Sequence, residues 1–326
     1  MKKTLQRLRV RAGGAFIKGV TSALAGLGRL HPGANPARHG VEVLRDIPYR
    51  AGGAEAHTLD VYRPLRRDGR RPVVLYVHGG GFRILSKDTH WMMGLAFARR
   101  GYVVFNVNYR LAPRHKFPAA LEDVCDAYAW VVENAARFGG DARRLVLAGE
   151  SAGANLVTSL AVCAAYRRPE PYAATVFATG VSPVAVIPAC GILQVTDTGR
   201  FERLIHKGMS PWVADRIHET SHGYIGGVTG NLDLADPLVV LERGKPPDRP
   251  LPPFYTFVGT RDPLLDDTRR LHAALTRLGV RSEVRYIPGE PHAFHALVWR
   301  PTAIATWRDK LQFLDEIIAP LPAPAE

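Results

Sequence analysis

Residues 144–156 read R-L-V-L-A-G-E-S-A-G-A-N-L. Leu145 to Ala148 form the short apolar run of a parallel strand buried on both faces, and Ala154, Leu156, Val157, Leu160 and Ala161 repeat at helical spacing. Ser151 therefore falls on the turn between a strand and a helix. Gly149 and Gly153 flank it two residues away on either side, where so sharp a turn leaves no room for a side chain against the neighbouring strand or helix. Gly-x-Ser-x-Gly in this setting exposes a serine Oγ at the carboxyl end of a strand. The same letters also describe an inert glycine-rich turn, so the chemistry has to be sought in the elements on either side.

Working outward, Pro72 to Val77 and Tyr102 to Val107 are uninterrupted apolar runs that read as central strands. Val41 to Tyr49 and His57 to Arg63, separated by Ala51-Gly52-Gly53, read as a hairpin at the sheet's edge. Helical patterns cover Trp91 to Arg99 and Pro118 to Phe138. The alternation continues through a helix at Ala152 to Tyr166, a strand-like run at Ala173 to Val181, a strand at Phe254 to Val258 and a helix at Leu264 to Leu278. A strand at Val284 to Ile287 and a helix from Thr302 to Ile318 close it. This pattern predicts an α/β protein with a doubly wound, mostly parallel sheet and an antiparallel edge.

With 326 residues, 46% of them hydrophobic, the chain can build one large core with additional cover. The formal charge of +13 comes mostly from scattered arginines and accompanies no nucleic-acid-binding motif, so no nucleic-acid partner is expected. Cys125, Cys163 and Cys190 are odd in number and widely spaced, which suits a reducing, cytoplasmic setting and neither a disulfide framework nor a metal site. Residues 1–30 combine Lys2, Lys3, Arg7, Arg9 and Arg11 with an apolar stripe at Phe16, Val20, Leu24 and Leu27. The expected role of this segment is a lid over the site. Reversible contact with an anionic membrane is a second role compatible with the first, Ser22-Ala23-Leu24-Ala25 leaves a weak export signal as a third reading, and Lys18 and the glycines argue against a membrane span. A linker, His31 to Gly40, ends the segment. The oligomeric state is left open.

Chemistry gathers at the strand ends. After Val77 comes His78-Gly79-Gly80-Gly81, whose unshielded amides fall on the same sheet edge as Ser151 and predict half of an oxyanion hole. The amide of Ala152, at the start of its helix, supplies the other half. His78 reads as a hydrogen-bonded loop anchor. The acid and base are sought after Ser151: Asp262 follows the strand Phe254 to Gly259, and His292 and His295 lie in the loop leaving the next strand. Asp266 and Asp267 compete with Asp262, but their place in a helix's first turn gives them a capping role.

His78-Gly-Gly-Gly81, Tyr109-Arg-Leu-Ala-Pro113, Phe117-Pro-Ala-Ala120, Glu122-Asp123, Gly149-Glu-Ser-Ala-Gly153, Asp262-Pro-Leu-Leu-Asp266 and His292-Ala-Phe294 together resemble the hormone-sensitive-lipase-like group of α/β-hydrolase fold esterases. The likeness implies an α/β-hydrolase fold, a catalytic set of Ser151, Asp262 and His292 rather than His295, an oxyanion hole from Gly79, Gly80, Gly81 and Ala152, and no metal or cofactor. It also implies a cap made from residues 1–40 and an insertion at about 183–236, with Leu204, Ile205 and Trp212 as pocket walls, on a catalytic domain of residues 41–319 ending in a tail at 320–326. The activity implied is hydrolysis of short to medium acyl esters. An amidase, deacetylase or lipase with the same triad, or a non-catalytic binder on the same scaffold, are the alternatives. Glu150 in place of the usual Asp and Ala154 in place of Gly are conservative departures, whereas Arg83 to Ser86 and Arg114 depart from the pattern near the expected mouth.

Overall fold

The computed structural model describes Gly19, Ala23 and residues 25–66, 69–201 and 209–318. Its centre is an eight-stranded sheet: β1 (Val41–Pro48), β2 (Thr58–Pro64), β3 (Arg71–Val77), β4 (Val103–Val107), β5 (Gly140–Glu150), β6 (Ala185–Ala189), β7 (Phe254–Gly259) and β8 (Ser282–Ile287). The strands lie in the order β1-β2-β4-β3-β5-β6-β7-β8. β2 runs antiparallel to both β1 and β4, and every other pairing is parallel.

The buried strands follow from their composition. Val73, Leu75 and Val77 of β3 face one apolar cluster while Val74 and Tyr76 face another, the period of two that a strand imposes. The first cluster is covered by α2 (Ala119–Asn134) and α3 (Ala152–Ala165), the second by α1 (Trp91–Ala98) and α8 (Pro301–Ile317). Every residue of α3 is buried, as its small, apolar composition on all sides requires.

One strand differs from the sequence expectation. Ala173 to Val181 lies mostly in α4 (Pro171–Ala178), and the strand beside β5 is Ala185–Ala189, inside the segment assigned to the cap. Pro171 at the first turn is a helix-start signal, and short apolar runs read alike as strand or helix. The cover between β6 and β7 therefore begins after Ala189. It holds α5 (Pro211–Ile225) and α6 (Pro237–Glu242), followed after β7 by α7 (Leu265–Arg277).

Of the amino-terminal segment, residues 25–30 are helical and dock beside α1: the Trp91 indole donates to the Ala25 carbonyl at 3.1 Å, and Arg29 donates to the Asp88 carbonyl at 2.8 Å. The basic cluster from Lys2 to Arg11, Phe16, Val20 and Leu24 lie outside the described residues, as do Leu204, Ile205 and the tail. No helix among the described residues is long and apolar enough to cross a membrane.

Candidate active site

β5 delivers Ser151 to the turn at its carboxyl end. The serine has φ 55° and ψ −114°, a strained conformation for a residue with a side chain. It is held by its amide, which donates to the Ala189 carbonyl at 3.0 Å, and by its carbonyl, which accepts from Ile192 and Asn155. A Cβ on Gly149 would lie 2.7 Å from the Val77 carbonyl oxygen, and one on Gly153 would run into the same carbonyl, so both glycines are required by the packing of β3 against the turn.

The loops leaving β7 and β8 bring two more groups to Ser151. His292 Nε2 lies 3.1 Å from Ser151 Oγ, and His292 Nδ1 lies 2.8 Å from Asp262 Oδ2. The carboxylate of Asp262 is buried, and its other oxygen accepts from the Leu264 amide at 2.9 Å, which fixes its orientation. Burial opposes the charged imidazole, but the Asp262 carboxylate beside it outweighs that and holds His292 well above its ordinary pKa. Cys190, Asp262 and His292 are also the one cluster of possible metal donors among the described residues. His292 Nδ1 commits its proton to Asp262 and burial keeps the Cys190 thiol protonated, so neither presents the deprotonated donor that a metal ligand requires.

The competing residues lie elsewhere. Asp266 is exposed beside Arg269. Asp267 is buried and accepts from the Leu193 amide at 2.8 Å while pairing with Arg200, so it ties down the chain after β6 rather than capping α7. His295 is buried against Phe257, and burial lowers its pKa to about 3, leaving it neutral.

The glycine loop corrects one expectation. Gly79 donates its amide to Glu150, so it is not free for an oxyanion; Glu150 also accepts from the Tyr76 hydroxyl and lies 2.8 Å from His90 Nε2. Burial disfavours the Glu150 carboxylate, but His90 more than compensates and holds it at about 2, while Glu150 in turn raises His90. The two form a buried charged pair beneath the loop. Gly80 (φ 106°) and Gly81 (φ 60°) occupy conformations that favour glycine, and their amides meet no acceptor among the described residues. Ala152 opens α3, where an amide has no partner within the helix. His78 behaves as the expected anchor: it donates from Nδ1 to the Gly79 carbonyl at 2.7 Å, stacks on Tyr109 and is held neutral by burial, with its pKa near 3.

These groups open into a cavity of about 690 Å³ beneath α5, which contributes Trp212, Ile217 and Thr220 to its wall. Arg83, Ile84 and Leu85 line it as well, whereas Arg114 and the described residues 25–40 do not. His90, the partner of Glu150, was not legible as a site residue, because its role depends on a contact across 60 positions of chain.

An elbow serine at the end of a central parallel strand, facing an acid and a histidine from later strand ends, defines the α/β-hydrolase architecture. The alpha/beta hydrolase fold family matches residues 74–296, and the chain belongs to it, within the hormone-sensitive-lipase-like esterases. Carboxylesterase NlhH of Mycobacterium tuberculosis is 32% identical over 276 residues, covering 82% of this chain and 78% of that protein. Among solved structures, esterase LipW from Mycobacterium marinum superposes with a TM-score of 0.72 at 27% identity, covering 94% of this chain and 90% of the other. A hyperthermophilic esterase from the archaeon Pyrobaculum calidifontis gives a TM-score of 0.70 at 25% identity, with 96% of each chain covered.

Proposed function

We propose that the protein is a serine carboxylesterase acting on short to medium acyl esters through an acyl-enzyme. The observation that carries this reading is the hydrogen-bonded line from Asp262 through His292 to Ser151 Oγ, opening on the cavity. His292 Nε2 takes the proton of Ser151 as Oγ bonds to the ester carbon, and the carbonyl electron pair moves to oxygen. The amides of Gly80, Gly81 and Ala152 receive that oxyanion. When the tetrahedral species collapses, the ester C–O bond breaks and the leaving alcohol takes the proton from His292. Water then attacks the acyl-enzyme by the same route and releases the acid. Asp262 holds the imidazole in the tautomer that presents Nε2 to the serine and stabilises the imidazolium.

The preference for shorter acyl chains is supported by the size of the cavity and by the wall that α5 puts across it. Replacing Ser151 by Ala is expected to lower turnover of a short-chain ester by about 10⁴ to 10⁶-fold with the fold unchanged. The wild type should also be labelled at Ser151 by a fluorophosphonate. Near-normal turnover in the variant would remove the assignment, and an unlabelled wild type would mark a binding protein on the same scaffold. A chain-length series with its highest kcat/KM on long-chain emulsions would favour a lipase.

A further inference from the structure

The proposed reaction leaves unexplained a set of contacts between the glycine loop and α5. Three successive loop residues meet this one helix. A Cβ on Gly81 would lie 2.8 Å from the Thr220 hydroxyl oxygen, so the loop backbone is in close contact with the helix there. Phe82 stacks on Tyr224 with ring centroids 3.8 Å apart and the planes parallel. The Arg83 guanidinium pairs with Glu219, and its stem lies across Gly223, where a Cβ would come within 2.9 Å of Arg83 Cδ. Both charged side chains are mostly buried, and Glu219 is steadied on its other oxygen by Arg216 at 2.5 Å.

The loop needs such support. Phe82 has φ 60°, a left-handed conformation that a residue with a side chain keeps only where its surroundings hold it. Its carbonyl accepts from the Ala112 amide at 2.8 Å, which fixes the backbone beyond the loop, and Glu150 fixes Gly79 from beneath. The Gly80 carbonyl accepts from the Arg83 and Ile84 amides, each at 3.1 Å, so Gly80 and Gly81 form a tight turn that Glu150 fastens at one end and α5 at the other. If α5 lets go, Phe82 keeps only the Ala112 bond and the turn's own bonds against the strain of its left-handed conformation, and that strain acts on the adjoining Gly81 peptide.

We propose that Arg83 and Glu219 are positioning residues for the oxyanion hole: their ion pair clamps α5 onto the glycine loop and keeps the Gly80 and Gly81 amides aimed at the oxyanion. The inference rests on the serine-esterase reading above. Because the oxyanion develops only as the serine attacks, a slackened clamp acts on the transition state and leaves binding of the ester ground state largely intact.

The test is steady-state kinetics on a short-chain ester for Arg83→Met, Glu219→Gln and the double variant, each normalised to active sites titrated with a fluorophosphonate, together with Tm. The expected result is a kcat per titrated site lowered about tenfold in each single variant, a change in KM smaller than that in kcat although both side chains also line the cavity, and a double variant no worse than the weaker single one. Arg83→Lys, which keeps the charge and loses the fork, should fall between and covers the case in which Arg83→Met does not fold. An unchanged kcat per titrated site, with only Tm lowered, would reduce the pair to a structural tie and overturn the proposal. So would a change confined to KM, or losses that simply multiply in the double variant. A wild type that takes up no fluorophosphonate would instead strike the esterase reading itself.

Discussion

Glu150→Gln tests the charged pair beneath the glycine loop. A carboxyl held at about 2 in the folded protein, against an ordinary value of 4.5, stabilises the fold by about 3 kcal/mol at neutral pH. Glutamine has the same shape but cannot ionise, so the variant forfeits that stabilisation. Because the Glu150 pKa is depressed, its contribution is complete above pH 4.5 and is lost as pH falls through about 2. Because the His90 pKa is raised, its contribution to the same pair is complete below about 6.5 and is lost as pH climbs through its folded-state value. The penalty of the variant should therefore peak between about pH 5 and 6.5, at about 3 kcal/mol, and shrink toward alkaline pH as the wild type loses the His90 charge. Urea unfolding of both proteins at pH 5.5, 7 and 9 measures it. A penalty below about 1 kcal/mol at pH 5.5, or one equal at pH 5.5 and 9, would refute the reasoning. The variant should lose turnover as well, since Gly79 would exchange a charged acceptor for a neutral one.

The acid limb of kcat/KM should titrate above the ordinary imidazole value of about 6.5, because His292 must shed its proton to act as base and Asp262 holds that proton. Asp262→Asn should move this limb to lower pH while cutting kcat by about 10⁴-fold, and a limb unmoved in the variant would contradict the assigned partner. Gly153→Ala drives a methyl group into the Val77 carbonyl, backbone that cannot step aside, and should cost at least about 3 kcal/mol or prevent folding; a stable, active variant would show that the elbow is looser than described. Lys310 is buried against Trp307 and Phe97, and burial depresses its pKa well below the ordinary value. It therefore weakens the fold at neutral pH and ceases to do so as pH approaches 10.5, so Lys310→Met should raise Tm at pH 7 with a gain that fades at alkaline pH.

Much of the molecule was legible from local pattern. The apolar runs at Pro72–Val77, Tyr102–Val107 and Leu145–Ala148 are all central strands, because a strand buried on both faces has no polar position to alternate with. Gly149 and Gly153 announced the turn at Ser151, since the packing that excludes their side chains lies within the motif and the strand beside it. The order of strand ends pointed to Asp262 and to the loop that holds both His292 and His295, and the resemblance of His292-Ala-Phe294 to the family's motif chose between the two histidines.

The tertiary structure decided what local pattern leaves degenerate. Ala173–Val181 and Ala185–Ala189 are both short apolar runs, and only the vacant edge of β5 selects the second as the strand. Three consecutive glycines look alike as letters, yet Gly79 gives its amide to Glu150 while the Gly80 and Gly81 amides meet no acceptor among the described residues. Pairings such as Glu150 with His90 and Arg83 with Glu219 join residues 60 and 136 positions apart. A buried charge is stable only beside the partner that the fold brings to it, and the spacing of residues along the chain carries no record of that encounter.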